Sequence, residues 1–145
     1  MNSEEKRPLP LSESLKSSAS ANSAEAPTSL APVSTANAER YSWGDDCKAW
    51  FLLKEPKLAV IEEEMPPGTS ELLHFHHKAQ QLFYILQGEA VMEIDGEFLD
   101  LKPSQSIHVA PGNPHRIRNS GAKTLRFLVI SQPESHGDKE IVSDC

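Results

Sequence analysis

The chain has 145 residues, 38% of them hydrophobic, and a formal charge of −7, which is material for one domain of ordinary size and not for two. Its 21 acidic residues outnumber 14 basic ones with no basic cluster among them, so a phosphate-tracking surface, and with it nucleic acid as a partner, is excluded. No apolar run approaches the roughly 20 residues that cross a bilayer, and the N-terminus lacks the apolar core of a secretory signal; no membrane partner is expected, and the expected compartment is cytoplasmic.

Residues 1–40 hold nine Ser, seven Ala and four Pro, with no aromatic residue and no glycine. A segment this poor in apolar side chains cannot offset its ordering entropy and is expected to be a disordered tail. A transit peptide is the competing reading, opposed by Glu4, Glu5 and Glu13 and by having arginine only at Arg7 and Arg40. At Tyr41 the composition changes: both Trp, both Tyr, all five Phe, all seven Gly and all six His follow, so the folded domain is expected over residues 41–145. Cys47 and Cys145, near opposite ends of that domain, read as free thiols.

Within the domain the hydrophobic period is two, and Pro or Gly clusters break it about every ten residues, an all-β signature. Strands are expected at 50–53, 57–62 and 71–76, with Met65, Pro66, Pro67 and Gly68 turning the chain between the last two. Then come 81–87, ending at Gly88, and 89–94 and 97–101, joined at Asp95 and Gly96, a pair suited to a tight hairpin. Strands at 106–110, 115–118 and 124–130 complete the series, with a Pro/Gly turn before His115. Nothing supports a helix beyond a turn or two. So many short strands build an antiparallel sandwich or a closed barrel, because closure removes exposed edges.

His74 and His76 alternate on one predicted strand, so both rings leave the same face and can converge on one point. Imidazole nitrogen suits Zn, Fe, Ni and Cu, and two histidines on a strand need one or two further donors to complete a site. Gln81 opens the next apolar strand and His115 follows a turn far along the chain. His77 and His108 fall on the opposite faces of their strands, Arg116 and Arg118 point out of the barrel, Glu71 reads as a rim charge, and His136 reads as a solvated residue. Trp43 is expected to pack over one end of the barrel. No Ser/His/Asp or Cys/His nucleophile arrangement emerges.

Taken together, these motifs resemble the cupin family over residues 45–132. Gly68, His74, His76, Gln81 and Gly88 follow the spacing of the first cupin motif, with glutamine where the family has glutamate. Gly112, His115 and Asn119 follow the second, with Ser104 and Ala110 in the family's glycine and proline places. The resemblance implies a double-stranded β-helix, or jelly roll, with His74, His76, Gln81 and His115 around one divalent transition metal ion, Zn, Ni, Mn or Fe, in the barrel interior. Glutamine brings no charge, so the ion would be bound less tightly and left a stronger Lewis acid. Three functions follow from the resemblance: a small metalloenzyme that isomerises or tautomerises a sugar, uronate or similar oxygenated ligand; a dioxygenase using a redox metal; and a module that binds a metal or small ligand without turnover. A homodimer is also expected, through apolar segments at 50–53 and 124–130 pairing as outer strands.

Overall fold

A computed structural model describes residues 30–142. The expectations for residues 1–29 and for Cys145 lie outside the described residues. The chain divides into two units, Met1–Pro32 and Val33–Cys145, and every described strand belongs to the second.

Eleven strands occur among the described residues: β1 (Glu39–Trp43), β2 (Cys47–Glu55), β3 (Leu58–Met65), β4 (His74–His76), β5 (Gln80–Gln87), β6 (Ala90–Ile94), β7 (Glu97–Leu101), β8 (Ser106–Val109), β9 (His115–Asn119), β10 (Leu125–Gln132) and β11 (Lys139–Ile141). They form two antiparallel sheets, β1-β2-β3-β10-β5-β8 and β11-β4-β9-β6-β7, the all-β double-stranded β-helix that the period of two and the motif spacing imply. No described helix is long and apolar enough to cross a membrane. The inward side chains of the two sheets meet in a core of Phe83, Phe127, Met65, Ile85, Met92 and Ile117, all nearly without solvent contact.

Alternation sets these strands. In β3, Ile61, Glu63 and Met65 are buried while Glu62 and Glu64 between them are half-exposed; in β5 the buried set is Gln81, Phe83 and Ile85. Asp95 and Gly96 join β6 to β7 with φ of 51° and 82°, the left-handed pair that a two-residue hairpin demands. The buried Asn119 side chain ties three segments together, donating to Met65 O and Lys123 O, both at 2.9 Å, and accepting from Gly121 N at 2.9 Å.

Three expectations need correction. The strand expected at 71–76 is a strand only from His74, because the Leu72 carbonyl turns to accept a hydrogen bond from the His74 ring at 2.7 Å. β1 and β11 were not among the expected strands; both are short, β11 is exposed throughout, and β1 half-buries only Tyr41 and Trp43. Finally, residues 50–53 and 124–130 do not pair with each other. β3 lies between β2 and β10 and pairs with both, since the short Pro56–Lys57 connection keeps β3 beside β2.

Ser104, in the family's glycine place, has φ of 71°, and its N–H donates to Ile85 O at 2.8 Å. The turn thus keeps the left-handed conformation with a residue that has a Cβ, which costs about 1 kcal/mol. Ser104→Gly is expected to raise stability by ~1 kcal/mol, read as a later denaturation midpoint at unchanged slope.

Candidate metal centre

His74 and His76 come from β4 and His115 from β9, and the pairing of the two strands sets His74 directly opposite His115. All three are buried, at 3%, 4% and 1% exposure. Their ring centroids stand 4.4 Å (His74–His115), 5.1 Å (His74–His76) and 5.8 Å (His76–His115) apart, and one ring nitrogen of each lies within 4.8 Å of the others. Gln81 on β5 reaches the same place from the facing sheet. It is 5% exposed, whereas Gln80 is exposed and bonded to Gln132 and His108.

Hydrogen bonds fix which nitrogens are free. His74 Nδ1 donates to Leu72 O at 2.7 Å and His115 Nδ1 donates to Asn113 O at 2.9 Å. Each neutral ring therefore carries its proton on Nδ1 and leaves Nε2 as a bare lone pair. Against the His115 Nε2 lone pair sits Gln81 Oε1, 3.1 Å away, while the Gln81 amide N–H donates to Ser131 Oγ at 2.9 Å. The contact sets the amide oxygen beside that nitrogen, close enough for one ion to meet both. His76 Nδ1, moreover, is buried with no hydrogen-bond partner. Three imidazoles with free nitrogens and one amide oxygen form a donor set that fits a divalent transition metal, and backbone carbonyls hold two of the rings as outer-shell partners do.

Burial holds the rings neutral. It pushes His74 and His76 down to about 4, the nearness of the other two imidazoles further disfavouring a proton on His76, and it lowers His115 as well. Ordinary imidazoles near 6.5 would each take up a proton at pH 5, and three such protons would cost metal affinity on the order of 10⁴-fold. Here competition is displaced to lower pH: affinity is expected to change by less than about tenfold between pH 7 and pH 5.5, to begin falling as the pH reaches 4, and to drop steeply only below that. A titration with a metal indicator at these three pH values checks the sign.

His74, His76 and Gln81 line a cavity of about 270 Å³ that also meets Tyr41, Ile61, Glu63, Glu71, Val129 and His136. It continues into an outer recess of about 620 Å³ bordered by Trp43 and Asp45 and sharing Tyr41, Glu63, Glu71 and Lys139. Asp138 fastens the mouth, accepting from the backbone N–H groups of His77, Lys78 and Ala79 at 3.1, 2.9 and 2.9 Å.

The remaining candidates fall as follows. His77 and His108 are exposed and bonded to Glu140 and Gln80. Arg116 pairs with Glu93 at 2.8 Å. Cys47 is a free, buried thiol. His136 is not merely a solvated residue: its ring packs on Tyr41 and Phe51 at 5.6 and 5.3 Å and borders the cavity. Glu71 accepts from Ile117 N at 3.1 Å on the cavity wall. Glu63, absent from the sequence expectations, lies at 7% exposure on that wall. In the sequence it is the middle of three consecutive glutamates, one residue beyond the strand expected at 57–62. The signal available was its place between Ile61 and Met65, since Glu62 and Glu64 point outward and pair with Arg126, both at 2.7 Å.

A family profile described as the cupin domain matches residues 61–131. The chain is 36% identical over 92 residues to an uncharacterised protein of Methanocaldococcus jannaschii, covering 63% of this chain and 74% of that one. It is 34% identical over 67 residues to an oxalate-binding protein of Thermotoga maritima, covering 46% and 55%; the chain thus spans little more than half the length of that relative. Among solved structures, an RmlC-like cupin from Shewanella frigidimarina superposes with a TM-score of 0.66 at 19% identity, covering 75% of this chain and 96% of that one. A predicted oxalate decarboxylase from Thermotoga maritima gives 0.61 at 28% identity, covering 67% and 92%. The two matched motifs, the two-sheet barrel and the histidine triad inside it agree with these likenesses, and the chain belongs to the cupin family.

Proposed function

We propose that the chain is a metal-dependent enzyme that holds a small oxygenated molecule, such as a sugar or a uronate, at the histidine triad and isomerises or tautomerises it. The observation that carries this reading is the set of neutral imidazoles with free nitrogens facing an amide oxygen at the inner end of a cavity that opens outward. His74, His76, His115 and Gln81 would hold the ion. Bound there it would supply Lewis acidity toward a carbonyl or hydroxyl, undiminished by any ligand charge.

The chain's own residues do the rest. Ile61 and Val129 give the cavity an apolar wall, which strengthens polar contacts made inside it. The Leu72 and Asn113 carbonyls keep two rings in register. The likeness to an oxalate-binding protein supports a small ligand with adjacent oxygens. The test is to load the full chain separately with Zn, Mn, Ni and Fe, then offer uronates, hexose phosphates and catechols while recording products by NMR and oxygen uptake. An isomer formed without oxygen uptake is expected. Oxygen consumption, or tight binding with no product, contradicts the reading and points to an oxygenase or a binding module respectively.

A further inference from the structure

We propose that Glu63 and Glu71 are the proton-transfer pair of this cavity, sharing one proton between two carboxyls and exchanging it with a ligand held at the triad. The proposal rests on the reading of the triad as a metal and ligand site, and it supplies the proton carrier that an isomerisation needs.

The geometry starts on β3, whose alternation sends Glu63 inward between Ile61 and Met65. More than nine-tenths of the residue is buried, and it lines both the inner cavity and the outer recess. A buried carboxylate is normally paired with a cation. Among the described residues no Lys, Arg or His nitrogen forms an ion pair with Glu63. The Trp43 indole beside it favours the ionised form, yet the indole nitrogen is itself buried short of hydrogen-bond geometry. Glu63 therefore lines the space where a ligand would lie with no cation bonded to it, Lys139 acting on its charge only from a distance.

Glu71 reaches the same wall from the segment before β4. Its carboxylate accepts the Ile117 N–H at 3.1 Å, a bond that favours its charge. Two carboxyls on one enclosed wall cannot both ionise readily, so Glu71 is the charged member and Glu63 the one that keeps the proton. Burial first, then the charge of Glu71, pushes Glu63 up to about 8. Burial raises Glu71 too, against the pull of His115, the Ile117 N–H and Lys139. The other groups on this space are Tyr41, Asp45, His74, His76, His136 and Lys139; burial and the two glutamates push the Tyr41 phenol up and out of play.

Such a pair has one proton to give and one site to take another. For a hydroxy-ketone, the pair removes the proton from the carbon beside the carbonyl, and the C–H electrons become the double bond of an enediol. The carbonyl oxygen takes a proton as its C=O bond opens. Return of a proton to the former carbonyl carbon, with loss of the neighbouring hydroxyl's proton to the pair, moves the carbonyl along by one carbon. Proton count and overall oxidation state are unchanged, so no outside oxidant enters.

Two measurements on the full chain test this. In the metal-stripped chain, infrared spectra from pH 5 to pH 10 should show a protonated-carboxyl C=O band at pH 7 that titrates near 8. Glu63→Gln should remove the band, and Glu71→Gln should lower its midpoint by about one unit or more, because the like charge is gone. Identical spectra for wild type and Glu63→Gln overturn the pair. In the zinc-loaded chain, deuterium exchange from D₂O into dihydroxyacetone should exceed that of free zinc and fall about 100-fold or more in Glu63→Gln at unchanged zinc content. Exchange equal to free zinc in the wild type, or unaltered in Glu63→Gln, overturns the transfer role. Failure of the metal reading looks different: wild type holds no zinc while the infrared band persists.

Discussion

His76→Ala should lower metal affinity by roughly a thousandfold or more, since it removes one of four donors and leaves the other three short of a closed shell. His115→Ala should do the same. Its ring is fully buried and packs on Phe83 at 5.8 Å, so a denaturation midpoint taken beside the metal content separates loss of the ligand from loss of packing. His77→Ala is the internal control: the ring is one residue from His76, exposed, and engaged with Glu140 on the outside. Metal analysis of the three purified variants beside wild type checks the expectation, with loss in the first two and none in the third. Metal content unchanged from wild type in His76→Ala and His115→Ala would contradict the assignment.

Gly88→Ala is expected to destabilise the barrel by about 3 kcal/mol. Gly88 ends β5 with φ of +87°, and a Cβ built there would stand 2.8 Å from Thr124 O and 3.0 Å from Leu125 Cα. Both obstacles are backbone at the start of β10, the central partner of β5, so no rotamer change relieves the contact. Left-handed strain adds to it. Gly96→Ala carries the strain without the clash, because nothing lies within 4 Å of its added Cβ. The difference between the two denaturation midpoints therefore isolates the packing part. The last glycine of the first cupin motif is thus a requirement of strand packing, set some distance along β5 from Gln81.

Much of this was legible from local chemistry. The period of two identified nine of the described strands, and Asp95–Gly96 fixed one hairpin, because alternation and turn dihedrals are properties of a few adjacent residues. The convergence of His74, His76 and His115 followed from motif spacing, and the structure brings these rings together with Gln81 rather than Gln80. The apolar run of residues 82–86 already set that register. What escaped depends on neighbours distant in sequence. β1 and β11 are too short to declare themselves and exist because β2 and β4 offer them edges. The pairing expected between residues 50–53 and 124–130 rested on both being apolar, a property that does not say which strand lies between. Glu63 was hidden in a run of three glutamates; only the strand's alternation, together with Arg126 gathering its two neighbours, shows that the middle one is buried. His136 was hidden because its place depends on Tyr41 and Phe51, nearly a hundred residues earlier by numbering and unrelated to it by any pattern.

The central claim is that the three imidazoles and the Gln81 amide oxygen hold one ion between the sheets. Anomalous diffraction at the zinc edge, from crystals of the full chain grown with zinc, tests it most directly. The account predicts one strong peak per chain within about 2.0–2.2 Å of a nitrogen of each of His74, His76 and His115, with Gln81 Oε1 turned toward it. A triad free of anomalous signal, or a peak held instead by exposed residues such as His77 and Glu140, would contradict it.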